Sequence, residues 1–246
     1  MKPTRIVVWG VGAMGAGIAR AIGEKPGLEV VGAVDTDPAK IGRPLSDFTG
    51  CEAHRQVAVS ATLAAAMVAN PDLVVVATAS LVRDVFPRVM EVLDHGKAVI
   101  TTAEEMAYPW PAEPELCAQM DATAREKGVA VLGTGINPGF VMDLLPVVLS
   151  AACTDVKRVR VTRVNDLSPF GPTVLREQGV GLTEEAFRRG VAEGRVEGHV
   201  GFVQSIAMVS DALGLGVDRI EQFREPIVSS VRREEKGIVV EPGMVT

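Results

Sequence analysis

Ile6-Val7-Val8-Trp9-Gly10-Val11-Gly12-Ala13-Met14-Gly15 is the stretch on which the reading of the fold turns. Four apolar residues read as a strand. Three glycines follow at the spacing G-x-G-x-x-G, and the segment from Met14 to Glu24 has helical length and an Ala-rich texture. Each glycine has a task in that context. Gly10 permits the tight turn, Gly12 lets the backbone approach a pyrophosphate with no side chain in between, and Gly15 lets the helix pack close to the sheet. Val11, Ala13 and Met14 complete the turn. The helix N-terminus offers free N–H groups and partial positive charge to the phosphates. The competing reading is a glycine-rich turn that binds nothing; the strand before it and the helix after it weigh against that.

Outward from this unit, residues 1–139 keep one rhythm, short β-branched runs separated by stretches of helical length. Strands are expected at Leu28 to Val34, Val57 to Val59, Leu73 to Ala77, Lys97 to Thr101 and Val129 to Leu132. Helices are expected from Ser60 or Thr62 as cap to about Asn70, from Leu81 to His95 with a kink at Pro87, and from Glu113 to Lys127. The run Leu73-Val74-Val75-Val76-Ala77 has no polar alternation, as for a central strand buried on both faces. Strands alternating with helices at this spacing predict an α/β architecture, a doubly wound parallel Rossmann sheet over residues 1–139.

After Asn137-Pro138-Gly139 the texture changes, and residues 140–246 read as a second, α+β domain. Helices are expected at Val141 to Ser150, after Thr183, and from Phe202 to Leu213. A strand with one polar face is expected from Val156 to Val164, then a loop holding Pro169, Gly171, Pro172, Gly179 and Gly181. Ile227 to Val240 reads as two strands turning near Glu234 to Gly237. The chain ends on Met244-Val245-Thr246 as another strand opens, so the second domain is expected to be C-terminally incomplete. An unpaired sheet edge of this kind suits a homodimer.

Composition narrows the function classes. The chain has 246 residues, 47% hydrophobic and 23% charged, with 25 basic against 31 acidic side chains and a net charge of −6. That balance fits a globular core and argues against nucleic acid as the partner. No apolar run approaches the ~18–20 residues of a membrane span, and no signal peptide is read at the N-terminus. Cys51, Cys117 and Cys153 are odd in number and widely spaced, which fits a cytoplasmic protein without disulfides. His54, His95 and His199 have no metal-ligand spacing, so no metal is expected.

The candidate site residues cluster at the expected strand ends, where open parallel sheets bind ligands. Asp35 stands 20 residues after Gly15 at the end of the second strand. There it can accept ribose hydroxyls and repel a 2′-phosphate, which favours NAD over NADP. Lys40 and Arg43 are cations close enough to meet such a phosphate if the loop folds back. The competing reading of Asp35 is a turn residue in Asp35-Thr36-Asp37-Pro38. Ala77, Thr78 and Ala79 make room for the ribose and nicotinamide, with Ser80 as a helix cap. Glu104 and Glu105, in Thr101-Thr102-Ala103-Glu104-Glu105-Met106, put two carboxylates near the nicotinamide position; neighbouring side chains diverge, so one of them faces the site. Such a carboxylate can hold an ammonium or carry a proton, or the pair can simply favour a helix N-terminus. Asn137, Pro138 and Gly139, within Gly133-Thr134-Gly135-Ile136-Asn137-Pro138-Gly139-Phe140, line the nicotinamide or form an interdomain turn. Phe140, Arg163 and His199 are candidate substrate contacts, and Asp166 is weighed beside Arg163.

Taken together, the chain resembles the dihydrodipicolinate reductase-like superfamily. Within it, the chain resembles the branch of 2,4-diaminopentanoate dehydrogenase and related NAD(P)-dependent amine dehydrogenases. The likeness rests on Gly10 to Gly15, on Thr102-Ala103-Glu104-Glu105-Met106-Ala107-Tyr108-Pro109, on the segment from Gly133 to Asp143, and on Gly198-His199-Val200-Gly201 before a helix. It implies an oxidoreductase with NAD or NADP that passes hydride between the nicotinamide and a C–N bond, with a small amine and its ketone as substrates. One of Glu104 and Glu105 would be the acid at the amine. A cyclic imine reductase of the 4-hydroxy-tetrahydrodipicolinate type is the alternative. The His-His, Lys and Ser-Gly-Thr signatures of the lysine-pathway reductases are absent from this sequence. A nucleotide-binding regulatory protein without catalysis is the alternative of another class.

Overall fold

The structure, a computed structural model, describes residues 2–168, 172–196, 198–235 and 237–246. In chain order the elements are β1 (Thr4–Trp9), α1 (Ala13–Gly23), β2 (Leu28–Val34), α2 (Ser46–Thr49), β3 (Val59–Ser60), α3 (Leu63–Met67), β4 (Leu73–Val76), α4 (Val82–Asp94), β5 (Ala98–Thr101), α5 (Pro114–Lys127) and β6 (Val131–Gly133). They are followed by α6 (Leu144–Ser150), α7 (Pro172–Glu177), α8 (Glu184–Ala192), α9 (Phe202–Leu213), β7 (Arg233–Glu235) and β8 (Ile238–Val240). A 3-10 turn over Glu104–Ala107 follows β5. No helix among the described residues is long and apolar enough to cross a membrane.

The first six strands form one parallel sheet in the order β3-β2-β1-β4-β5-β6. Strand order reverses between β1 and β4, and the crevice at their carboxyl ends is where this architecture takes ligands. Side chains alternate across each strand. Val7, Trp9, Val74 and Val76 face α4 and α5 in one core layer. Ile6, Val8, Val30 and Val75 join Ala19 and Ile22 of α1 in the other. Burial on both faces explains why the strands read as unbroken apolar runs. Thr62, not Ser60, caps α3, its hydroxyl accepting from Ala65 N–H. Gly128, at φ +66°, closes α5 in the left-handed conformation. Helix α4 runs on through Pro87.

Beyond residue 140 the expected strand at 156–164 is not formed. The backbone there is irregular, and Val164 is 91% exposed. An alternating sequence suits a strand, but a strand persists only where a neighbouring backbone pairs with it. No described segment does so here. The region 227–240 yields the short antiparallel hairpin β7-β8 and, at Val228, an antiparallel bridge to Val245; Lys236 lies outside the described residues. Pro169 and Gly171 of the expected loop also lie outside them. Helix α6 begins three residues later than expected and buries none of its own side chains. A small cluster of Phe187, Val196 and Val245 forms the core of this part.

One buried histidine carries a stability prediction. His54 is 1% exposed; its Nδ1 lies 3.0 Å from the Thr49 hydroxyl, and its Nε2 has no partner. Burial holds its pKa below the ordinary value. The unfolded chain therefore takes up this proton first. Stability is full above about pH 6.5 and falls as the pH drops from there toward the folded-state pKa. Urea unfolding at pH 7 and pH 5 should show a difference that His54→Gln reduces by about 1 kcal/mol. An unchanged difference would assign the pH dependence elsewhere.

Candidate active site

The glycine turn is built by close contact. Gly10 sits at φ +99°, and a Cβ there would meet the Ala77 carbonyl oxygen at 2.5 Å. A Cβ on Gly15 would lie 1.7 Å from the Gly10 carbonyl oxygen, so α1 rests directly on the turn. Gly12 is the N-cap of α1, no side chain caps the helix, and nothing stands within 4 Å of where its Cβ would be. The space over Gly12 is therefore open, and the N–H groups of the first helical turn lie beneath it. Ala13 and Met14 point outward, and Val11 is buried.

A cavity of about 220 Å³ opens at this place, lined by Gly10, Gly12, Asp35, Lys40, Thr78 and Arg88 among others. Asp35 is bound into the turn. Its Oδ2 accepts from Val11 N–H at 2.8 Å and from Lys40 Nζ at 3.0 Å, and its Oδ1 accepts from Asp37 N–H at 2.9 Å. Burial alone would raise the Asp35 pKa; the hydrogen bonds from Asp37, Lys40 and Val11 outweigh it and hold the carboxyl below its usual range. Lys40 has thus folded back as the sequence allowed, whereas Arg43 pairs with Asp47 at 2.8 Å and stacks over Phe48. Arg88 was not expected from sequence. It enters because α4 passes beside the crevice, which no local pattern reveals. Ala79 packs against the core layer beside α4.

The two adjacent acids separate. Glu105 turns back, its Oε2 accepting from Val82 N–H at 2.8 Å, and so caps the first turn of α4. Glu104 makes no such bond among the described residues; its charge reaches the His199 imidazole. Burial pulls the His199 pKa down, the Arg163 cation adds to this, and Glu104 opposes both. The Asn137 amide nitrogen donates to His199 Nε2 at 2.8 Å, across the cis peptide Asn137-Pro138. His199 also packs edge-on against Phe202. Glu104, His199, Asn137 and, through its charge, Arg163 therefore belong to one cluster at the ends of β5 and β6. Arg163 itself is exposed and bonds Asn165, Asp166 turns to Ser168, and Phe140 is 45% exposed. Tyr108 is not among the candidates read from sequence although it stands three residues after Glu105. Its hydroxyl donates to Asp211 of α9 at 2.5 Å and ties the Glu104 turn to the second part.

The residues fit a nicotinamide dinucleotide on evidence internal to the chain. Space is open over Gly12, and two buried polar atoms beyond the strand ends have no partner among the described residues: Thr78 Oγ1 after β4 and Asn137 Oδ1 after β6. Buried polar atoms are rarely left so unless a ligand or water completes them.

The chain is similar to known proteins along its length. A family model described as dihydrodipicolinate reductase, N-terminus, matches residues 4–104, and one described as 2,4-diaminopentanoate dehydrogenase C-terminal domain matches residues 140–246. The chain is 41% identical over 237 residues to 2,4-diaminopentanoate dehydrogenase of Acetoanaerobium sticklandii, which covers 95% of this chain and 67% of that protein. It is 30% identical over 169 residues to an amine dehydrogenase of Streptomyces virginiae, covering 67% of this chain and 46% of that protein. Among solved structures, the amine dehydrogenase from Mycobacterium smegmatis superposes with a TM-score of 0.82 at 30% identity, over 98% of this chain and 72% of that one.

Proposed function

The chain belongs to the family of 2,4-diaminopentanoate and amine dehydrogenases, NAD(P)-dependent oxidoreductases of C–N bonds, and from that premise we propose that it interconverts a small amine or diamino acid with the corresponding ketone and ammonia. The observation that carries this reading is the separation of the two acids: Glu105 is spent on α4, and Glu104 is left with its charge acting on His199, which binds the Asn137 amide. Gly10, Gly12, Gly15 and the first turn of α1 hold the pyrophosphate; Asp35 and Lys40 hold the adenosine ribose; Thr78 and Asn137 use their free oxygens on the nicotinamide half. The bound cofactor supplies the hydride acceptor or donor. An ammonium must lose a proton before its carbon can release hydride, and the Glu104 carboxylate takes that proton. The proton then passes to solvent, and in the other direction the recharged Glu104 carboxylate stabilises the cationic iminium before reduction. His199, kept neutral by burial and by Arg163, adds no positive charge to repel the substrate.

Asp35 is anionic and lines the cavity, which supports a preference for NAD. Lys40 neutralises part of that charge and supports tolerance of NADP. The test measures NADH and NADPH oxidation with short ketones, with and without ammonia. Turnover should require ammonia, and NADH should be preferred. Lys40→Ala should weaken NADPH binding about tenfold more than NADH binding. Turnover of a cyclic imine with no ammonia requirement would overturn the reading in favour of an imine reductase.

A further inference from the structure

Asp143 is 0% exposed, yet it is a carboxylate. Its Oδ1 accepts from Leu144 N–H at 2.7 Å; its Oδ2 accepts from Gly139 N–H at 2.8 Å and from the Ser205 hydroxyl at 2.7 Å. Helix capping alone does not account for this. An N-cap side chain ordinarily serves the second or third helical N–H and works at the surface, whereas Asp143 bonds the first and is enclosed. A buried carboxylate is strongly unfavourable unless several donors converge on it. The donors here come from three segments: the loop at Asn137–Gly139, the start of α6, and α9.

The same loop meets the segment leading into α9 at two further points. His199 takes the Asn137 amide, and Gly201, at φ +103°, makes room for the Pro138 ring, since a Cβ there would lie 2.5 Å from Pro138 Cγ. Three successive loop residues are thus matched by His199, Gly201 and Ser205, the last through Asp143. The same loop holds Asn137 Oδ1, a buried atom without a partner among the described residues.

We propose that Asp143 and Ser205 are positioning residues: through them α9 fixes the Asn137–Gly139 loop, and so docking of the second part and binding of the nicotinamide half of the cofactor are coupled. This rests on the dinucleotide reading above and adds to it two second-part residues that touch neither cofactor nor substrate.

The experiment compares two ligands that differ only by the nicotinamide. NADH and ADP-ribose are titrated by calorimetry into the full chain and into Ser205→Ala, which removes only the link to α9. Asp143→Asn serves as a second variant. Ser210→Ala is the control, because Ser210 is a buried hydroxyl of the same helix that serves Val217 N–H instead of the loop. Ser205→Ala should weaken NADH about fivefold and leave ADP-ribose within about twofold, and Ser210→Ala should leave the ratio of the two unchanged. Equal loss of both ligands, or no loss of either, in Ser205→Ala would overturn the coupling. A shifted ratio in Ser210→Ala would do the same, since the effect would then be general loosening of α9. A wild-type chain that binds neither ligand would remove the dinucleotide reading itself, and the coupling with it.

Discussion

Glu104→Gln should lower kcat for amine oxidation about 10²- to 10⁴-fold, the range expected when a positioned proton acceptor is lost. The amide cannot take the ammonium proton, so the fraction of amine ready to release hydride collapses. Affinity for NADH should stay within about twofold, because the glycine turn and Asp35 are untouched. Glu105→Gln provides the contrast. Its carboxylate serves Val82 N–H at the start of α4, where negative charge is favourable. Losing that charge should cost about 1 kcal/mol, a Tm shift of about 2–4 °C for a chain of this size, with kcat changed only a few-fold. Steady-state kinetics beside thermal melts distinguish the two. Loss of turnover in the Glu105 variant, with Glu104→Gln active, would exchange their roles and sink the proposed chemistry.

Gly12→Val carries the second large effect, and it falls on binding. The position has an ordinary negative φ of −81° and open space around its Cβ, so the fold can accept a side chain there. Valine is a poorer N-cap than glycine, at a cost of about 1 kcal/mol. The same side chain would stand where the pyrophosphate meets the helix N-terminus, and NADH affinity should fall at least about 100-fold, since close backbone approach is what the position provides. Gly15→Ala should behave the opposite way. A Cβ 1.7 Å from the Gly10 carbonyl oxygen forces α1 away from the turn, so stability falls first and binding with it. Calorimetric titration of NADH together with the melting temperature checks both variants. A Gly12→Val protein that binds NADH normally would show that the cavity beside this turn is not the cofactor site.

The two variants also mark what a sequence can carry. The roles of Gly10 and Gly15 were legible because a G-x-G-x-x-G between strand and helix constrains the backbone within a few residues of itself. Asp35 was legible for a similar reason, its distance along the chain from the turn. The acidic pair was legible only as a pair. Which acid is spent on a helix depends on where the start of α4 lies, and Val82 is 23 positions away from the carboxylate it recruits. The expected strand at 156–164 failed for a related reason. Alternation records a preference for two unlike faces but says nothing of a partner backbone, and no described segment supplies one.

By itself the sequence determined the Rossmann sheet, the glycine turn and most of the candidate site residues, because each follows from periodicity or spacing between near neighbours. Only the tertiary structure decided the assignments within that set. It turned Glu105 onto a helix, left Glu104 within reach of the His199 imidazole through its charge and folded Lys40 onto Asp35, and outside that set it brought Ser205 to Asp143 across 62 positions. Hydrogen bonds and charges act through space over a few ångströms, and the folded path of the chain, not its order, sets which groups come that close.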